Sequence, residues 1–500
     1  MSRVLGLIRD VVLAKYIGTG INADPFYIAF KIPNFLRRLF AEGAFAQAFV
    51  PVLAEYKKDG SREAVKALLN RVCGCLGVSV VSVTVFAMVA TPLVTSIFAF
   101  GYWNKPYEFA LTTQFLRITF PYLFLISMTG FAAAILNSYG KFAIPAFTPV
   151  LLNITLITAA VVASPHFDPP ALAMAWGVLV SGVVQLVFQL PFLKKLQLMP
   201  TPIVDWHHPG VNKIIKLMLP AMFGVSVSQI NLLLDTSLAT MLIAGSPSWL
   251  FYSDRMAELP LGVFGIAIAT VILPSLSTEF VSKNSQRFSA TLSWAMRCVF
   301  VIGFPAAAAL MVLAEPILLT LFQSGKWTLQ DTQMSALSLR AYAFGTVAFM
   351  LIKILAPGFF ARQDTKTPVK IGIIAMVANM VLNIALVLPL MLFDIGHVGL
   401  ALATSLAAFL NALLLFRGLR KEGVYHHQPG WQVFWLRLLF GVSVMIAVLL
   451  WLSHGWRDWQ ALAVWQRYFQ LAWVCAAGFA ALVATLLVCG MRPRDFRPPV

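Results

Sequence analysis

The sequence of 500 residues is too apolar for a water-soluble protein. Hydrophobic residues make up 59% of it, charged residues only 11%, and the mean hydropathy is +0.81. Because globular domains usually carry about 25% charged residues, this composition excludes a set of soluble domains. The net charge of +17 comes mostly from short loops between apolar runs, which indicates the positive-inside pattern of membrane proteins rather than nucleic-acid binding.

Apolar runs of about 20 residues can cross about 30 Å of hydrocarbon as helices. The sequence contains about fourteen such runs, so it predicts an all-α integral membrane protein with about fourteen transmembrane helices. The predicted spans are residues 3–18, 25–50, 72–100, 110–136, 145–163, 170–193, 213–244, 248–276, 290–313, 334–357, 369–392, 398–416, 432–453 and 467–490.

The loops between these spans alternate in charge. One set is rich in basic residues, as at Lys57, Lys194 and Arg417, whereas the opposite set has few. Because basic loops stay on the cytoplasmic side, this asymmetry places the first set in the cytoplasm. An even number of spans then predicts that both termini are cytoplasmic.

The chain also contains an internal repeat. The segment GAFAQAFVP at 43–51 resembles GIAIATVILP at 265–274, and LLNITLI at 151–157 resembles VANMVLNI at 377–384. The shared offset predicts two six-helix lobes, 1–200 and 210–421, followed by two extra helices within 430–492. Six spans are an even number, so the lobes would be parallel repeats. Chance similarity between apolar helices is the alternative.

Three arginines lie deep inside predicted spans, where a charge costs about 2.5–3.5 kcal/mol. They are Arg9 in the first span, Arg37 in the second and Arg255 in the eighth. The planar guanidinium binds phosphate with two hydrogen bonds and keeps its charge. We interpret the three as a cationic cavity for an anionic ligand that carries phosphate. The alternative is snorkelling to the interface or structural ion pairing.

The second span carries further polar residues. Lys31, Asn34, Arg38 and Glu42 are spaced so that they share one face of a helix. Pro33 should kink this helix and change the direction of Arg37.

A different polar set has oxygen ligands and no base. It consists of Asp235, Asn379, Asn383 and Thr404 in the seventh, eleventh and twelfth spans. Carboxylate, amide and hydroxyl oxygens suit Na⁺, as in the coupling-ion sites of secondary transporters. Hydrogen bonding between membrane helices is the alternative.

Enzyme chemistry finds little support in the sequence. It contains no P-loop and none of the common hydrolase or zinc-protease motifs, and its five cysteines lie scattered in apolar segments. We therefore predict a transporter with no cofactor other than Na⁺. An enzyme acting on polyprenyl phosphates would need a nucleophile or a pair of acids beside the arginines.

Four segments carry a family resemblance that extends over essentially the whole chain. They are SRVLGLIRDVVLAKYIG from Ser2, DPFYIAFKIPNFLRRLFAEGAFAQAFVPVLAEY from Asp24, YSDRMAELPLGVFGIAIATVILPSLS from Tyr252 and LAPGFFARQDTKTPVKI from Leu355. They resemble the MurJ (MviN) family of lipid II flippases, in the multidrug/oligosaccharidyl-lipid/polysaccharide superfamily. Family members usually have more residues before the first motif, so we expect either a longer native N-terminus or a shortened first helix.

The resemblance implies two six-helix lobes around a central cavity, with residues 430–492 forming a groove for a lipid tail. It implies that lipid II, the undecaprenyl-diphosphate-linked disaccharide-pentapeptide, moves from the inner to the outer leaflet of the bacterial cytoplasmic membrane by alternating access. The implied cavity residues are Arg3, Arg9, Asp24, Lys31, Asn34, Arg37, Glu42 and Arg255. The implied Na⁺ ligands are those of the oxygen-rich set described above.

Two other transporter functions remain open at this point. An exporter of another polyprenyl-diphosphate-linked glycan would need the same arginines, because its cargo also carries a diphosphate. A drug/cation antiporter of the same superfamily would favour an acidic or aromatic cavity instead. In each case we expect a monomer whose partners are its cargo and membrane lipids. Membrane potential and an ion gradient are both compatible driving forces.

Overall fold

The computed structural model describes residues 2–37, 44–282 and 284–496. Over these residues every regular element is a helix, so the predicted all-α class is confirmed. The first ten helices are α1 (Ser2–Tyr16), α2 (Asp24–Arg37), α3 (Ala44–Asp59), α4 (Arg62–Val89), α5 (Thr91–Phe98), α6 (Pro106–Thr119), α7 (Pro121–Ser138), α8 (Ala143–Thr158), α9 (Ala171–Lys195) and α10 (Pro209–Ala239). The remainder are α11 (Ser246–Pro260), α12 (Ile266–Val281), α13 (Ser285–Val312), α14 (Ala314–Phe322), α15 (Leu329–Phe360), α16 (Lys366–Met391), α17 (Gly396–Lys421), α18 (Trp431–Leu452) and α19 (Val464–Val488).

Within the described part of the chain, 10 helical segments are long and apolar enough to cross a membrane. They correspond to ten of the predicted spans. The other four predicted spans coincide with α1, with α2 and α3, with α10, and with α11 and α12. The helices are therefore consistent with the predicted count of about fourteen.

The third and fourth predicted spans are each divided by a proline in the structure. The third, predicted at 72–100, is divided into α4 and α5 at Ala90, and the fourth, predicted at 110–136, is divided at Phe120. In both cases a proline, Pro92 or Pro121, lies in the first turn of the following helix. Proline has no N–H to continue the preceding helix but is well suited to a first turn. An apolar run counted by length alone does not reveal such a break.

The chain forms two compact units. Unit 1 contains residues 1–248 and 324–326, and unit 2 contains 249–323 and 327–500. Helix α10 therefore packs within unit 1, mainly against α3, although the sequence repeat places it at the start of the second half. The division into 1–200, 210–421 and 430–492 stays a prediction from the sequence repeat.

Aromatic side chains make ring contacts in the core of each unit. In unit 1 the rings of Phe45 and Phe49 on α3 stack 5.2 Å apart and both contact Phe131 on α7. In unit 2 α15 is surrounded by α12, α13, α14 and α17. Helices α18 and α19 pack on each other, and the ring centres of Trp435 on α18 and Phe300 on α13 lie 4.7 Å apart.

The helix starts repeat along the chain with a nearly constant offset. Five helices of the first half begin 222 to 225 residues before five helices of the second half. The paired starts are Asp24 with Ser246, Arg62 with Ser285, Pro106 with Leu329, Ala143 with Lys366, and Ala171 with Gly396. Residues at the same offset therefore occupy corresponding places in the two halves, which allows their surroundings to be compared.

An extended segment, residues 199–206, lies along α4. Thr201 N–H donates to the Asn70 side chain at 2.8 Å, and Ile203 N–H donates to the Asn70 carbonyl at 3.0 Å. Arg71 donates to Asp205 at 2.9 Å, and this hydrogen bond, above all, lowers the pKa of the Asp205 carboxyl below its usual value. The segment thus fixes the connection between α9 and α10.

Gly74 is required by this close approach. A Cβ atom at Gly74 would lie 2.2 Å from the Ile203 carbonyl oxygen, whereas a Cβ atom at Gly77, one turn further along α4, would meet nothing within 4 Å. We expect Gly74→Ala to lower the apparent melting temperature in detergent, through an overpacking cost of about 1–3 kcal/mol. Gly77→Ala is the matched control and should be neutral or stabilising, because alanine favours helix. Equal melting temperatures for the two variants would contradict this packing.

Candidate functional site

Arg9 lies at the centre of a buried polar cluster in unit 1. Its guanidinium donates from Nε and Nη2 to Asp10 Oδ1, at 2.9 and 2.6 Å, and from Nη1 to Asn153 Oδ1 at 3.0 Å. Arg9 is 7% exposed, Asp10 3% and Asn153 5%. The carboxylate offsets the cationic charge and the amide adds an acceptor, which lowers the cost of keeping a guanidinium inside an apolar span.

Local sequence brings these groups together. Arg9 and Asp10 are neighbours on α1, and α1 packs against α8, which carries Asn153. The small Gly6, one turn before Arg9, lies beside Asn153, since a Cβ atom there would be 3.9 Å from the Asn153 amide nitrogen. Three of the five guanidinium N–H donors are used by these contacts. The arginine is therefore held in a fixed orientation.

Asp24 makes a different kind of contact, at the first residue of α2. Its Oδ2 accepts the Gly245 N–H at 2.6 Å, and its Oδ1 accepts both the N–H, at 3.2 Å, and the hydroxyl of Ser248. The carboxylate is 2% exposed. It ties the start of α2 to the turn between α10 and α11, where Gly245 adopts a φ of +97° that favours glycine. The structure thus shows Asp24 as an anchor within unit 1.

The remaining predicted cavity residues of the second span are only partly described. Lys31 donates to the Thr236 hydroxyl of α10 at 3.1 Å, and Asn34 donates to the Phe30 carbonyl at 2.8 Å. Arg37 is the last residue of α2, but the description covers only its backbone. The predicted residue Glu42 lies outside the described residues, as does Arg38 of the same stripe.

Arg3 and Arg255 stand in different units. Arg3, on α1 of unit 1, is exposed and has no ion pair within the described ranges. Arg255, on α11 of unit 2, lies 3.6 Å from a Glu258 carboxylate oxygen, and its guanidinium carbon is 5.3 Å from the centre of the Phe251 ring. Arg255 thus contacts two residues of its own helix.

Three of the four predicted Na⁺ ligands come together in unit 2. Asn383 donates to the Asn379 carbonyl oxygen at 3.1 Å, and Asn379 donates to the Thr404 hydroxyl at 3.4 Å. Both asparagines are 1% exposed. The fourth, Asp235, is a half-buried residue of α10 in unit 1. No group of three or more histidine, cysteine or acidic residues suited to a metal ion occurs in the described part of the chain.

Asn153, the partner of Arg9, was not among the predicted site residues, although the repeat contained a signal for it. Asn153 corresponds to Asn379, because LLN at 151–153 aligns with VAN at 377–379. LIRDVVLA at 7–14 likewise aligns with LLLDTSLA at 232–239, which pairs Asp10 with Asp235. In the first half the aspartate and the asparagine hold the guanidinium of Arg9. At the position that corresponds to Arg9, the second half of the sequence has Leu234.

The chain is similar to proteins of one transporter family along its whole length. Residues 13–470 match the family model described as lipid II flippase MurJ. A Vibrio cholerae protein named probable lipid II flippase MurJ is 48% identical, over 99% of this chain and 95% of that protein. The Burkholderia cenocepacia lipid II flippase MurJ is 42% identical, over 99% of this chain and 96% of that protein.

Solved structures agree with the sequence comparison. A lipid II flippase MurJ in an inward closed conformation matches with a TM-score of 0.79 and 25% identity, over 98% of this chain and 96% of that one. An inward-facing multidrug resistance transporter of the MATE family matches with a TM-score of 0.71, over 85% of this chain and 95% of that one. The second match is 14% identical, so it shows a shared fold alone.

The Asp24 contacts lead to a stability prediction. We expect Asp24→Asn to lower the apparent melting temperature, because an amide replaces one acceptor oxygen by a donor that faces N–H and O–H donors, at a cost of about 1–3 kcal/mol. Glu108→Gln is the matched control, since it also removes an acidic charge and Glu108 lines the same small cavity as Asp24. Equal melting temperatures for the two variants in detergent would show that Asp24 is not the anchor.

Proposed function

The chain belongs to the MurJ family of lipid II flippases, and we propose that it moves the undecaprenyl-diphosphate-linked peptidoglycan precursor from the inner to the outer leaflet of the bacterial cytoplasmic membrane. Membership of the family confirms the prediction of a transporter rather than an enzyme. The many long apolar helices agree with a multi-pass membrane protein.

The buried Arg9 cluster is the structural observation that supports this proposal. A guanidinium inside an apolar span has a high energetic cost, and ionisable residues in membrane spans usually have a functional role. Arginine is suited to phosphate because its planar N–H groups match two phosphate oxygens. The diphosphate of a polyprenyl-linked precursor is a ligand of this kind, whereas a cationic drug is not.

Arg9 alone does not supply the charge that a diphosphate needs. The adjacent Asp10 carboxylate offsets its charge, so Arg9 contributes hydrogen bonds and orientation more than net attraction. Arg3, which is exposed and lacks a carboxylate partner in the described residues, supplies a further cation. Arg37 and Arg255 would complete the set. The meeting of these arginines in one cavity, with Lys31, Asn34 and Glu42, stays a prediction.

The remaining features of the transport cycle follow from the proposal. The diphosphate and its disaccharide-pentapeptide cross through a hydrated path by alternating access while the polyprenyl tail stays in lipid, in the groove predicted for α18 and α19. The protein acts as a monomer with both termini in the cytoplasm. The asymmetry of the basic loops supports this orientation.

We also propose Na⁺ as a second partner of the transporter. Asn379, Asn383 and Thr404 bring amide and hydroxyl oxygens together, and Asp235 is the predicted carboxylate ligand. The repeat supports this choice, because the corresponding aspartate and asparagine of the first half bind a guanidinium.

The flipping of a fluorescent lipid II analogue in proteoliposomes tests the function. The wild type should move the analogue between leaflets faster than empty liposomes do. Arg9→Gln should lower the rate at least about tenfold, because losing a charge-assisted hydrogen bond costs about 1.5–3 kcal/mol. Lys141→Gln, a change at an exposed loop residue, is the control and should match the wild type.

Two other cargoes distinguish the alternatives in the same vesicles. A polyprenyl-diphosphate glycan without the peptide reports an exporter of another lipid-linked glycan, and ethidium reports a drug antiporter. Movement of either cargo without movement of the lipid II analogue would contradict the proposed function.

A further inference from the structure

The consecutive helices α6 and α7, which together form one predicted span, expose an unusual face for a membrane span. From residue 107 to residue 136 its exposed residues are Tyr107, Ala110, Gln114 and Arg117. Their spacing of three and four residues puts them in one stripe on the helix. The part of this stripe nearer to α7, at Gln114 and Arg117, is polar.

Other spans of unit 1 show what a face toward lipid contains. Helix α4 exposes Val78, Val81, Val85, Phe86 and Val89, and α9 exposes a comparable row of valines. The α6 stripe has no large apolar side chain after Tyr107. Because acyl chains disfavour glutamine and arginine, this stripe is suited to hydrated surroundings or to an anion.

The repeat shows that Arg117 lacks a partner that its counterpart possesses. Arg117 corresponds to Arg340, since the two arginines are separated by the same number of residues as the starts of α6 and α15. Arg340 lies 3.3 Å from a Glu315 carboxylate oxygen and donates to the Met311 carbonyl at 3.2 Å. Arg117 has no carboxylate within ion-pair distance among the described residues.

The difference has a clear origin in the sequence. Glu315 precedes Pro316 at the start of α14, and the residue that precedes Pro92 at the start of α5 is Thr91. Thr91 is fully buried, and its hydroxyl donates to carbonyl oxygens of α4 at 3.0 and 2.6 Å. The first half therefore keeps the arginine but replaces its neutralising carboxylate with an uncharged residue.

We propose that Arg117, with Gln114 one turn away, binds a phosphate group of the transported polyprenyl diphosphate on the wall of its path. This rests on the proposed function and adds to it a residue outside the first, second and eighth spans. The phosphate supplies to Arg117 the negative charge that Glu315 supplies to Arg340. The ligand chemistry is a lipid-borne phosphate, whose two sources are the transported lipid and the surrounding phospholipids.

Equilibrium binding of the lipid II analogue to purified protein in detergent tests the assignment. Arg117→Gln should weaken binding about tenfold, as expected for the loss of one charge-assisted hydrogen bond, and Arg117→Lys should recover part of the loss. The matched control is the double variant Arg340→Gln/Glu315→Gln, which removes the counterpart pair without leaving an unpaired charge and should bind as the wild type does.

The same variants in proteoliposomes with and without phosphatidylglycerol separate the two sources of phosphate. If Arg117 serves the cargo, Arg117→Gln lowers flipping in both membranes alike. The assignment is wrong if Arg117→Gln binds the lipid II analogue as tightly as the wild type does and differs only in its response to phosphatidylglycerol. The phosphate that Arg117 binds would then belong to a phospholipid. Absence of flipping by the wild type would instead contradict the proposed function. If Arg9→Gln weakens binding of the analogue and Arg117→Gln does not, only the role of Arg117 is contradicted.

Discussion

A guanidinium buried in an apolar span must find acceptors within the protein, and this constraint organises unit 1. Arg9 meets it through Asp10 on its own helix and Asn153 on α8. The two contacts fix the approach of α1 to α8 as well as the direction of the arginine. Removing either acceptor would leave a buried charge with fewer partners, which is strongly destabilising. The same hydrogen bonds therefore stabilise the unit and orient the Arg9 guanidinium.

The two halves of the chain satisfy this constraint in opposite ways. In the first half Asp10 and Asn153 hold an arginine, whereas the residue that aligns with Arg9 in the second half is Leu234. The corresponding arginines Arg117 and Arg340 differ in the opposite sense. Arg340 of the second half pairs with Glu315, whereas Arg117 of the first half has no carboxylate partner among the described residues. The two halves thus differ at single positions in which of their charged residues have a partner of opposite charge in the described part of the chain.

Much of the fold was predictable from the sequence because membrane helices depend on length and hydropathy. The number and order of the spans and the repeat come from these patterns and agree with the helix bounds. The breaks at Ala90 and Phe120 were missed because an apolar run does not show where a proline starts a new helix. The packing of α10 against α3 depends on side-chain shape, which a sequence repeat does not record.

The candidate site was predictable in its residue types but not in its contacts. Arg9 stood out because a charge in an apolar run is costly, and the oxygen-rich set stood out because its carboxylate, amide and hydroxyl oxygens suit Na⁺. The partner Asn153 is distant in sequence, and Asp24 binds mostly backbone groups of a turn, which no motif records. Contacts of this kind depend on tertiary packing and require coordinates.

The central claim is that Asp10 and Asn153 hold the Arg9 guanidinium in an orientation that reads a diphosphate. The most direct test is equilibrium binding of undecaprenyl diphosphate and undecaprenyl monophosphate to purified wild type and Arg9→Lys. The wild type should bind the diphosphate about tenfold more tightly than the monophosphate, and Arg9→Lys should lose this preference, because lysine lacks the planar fork. An equal preference in both proteins would contradict the account.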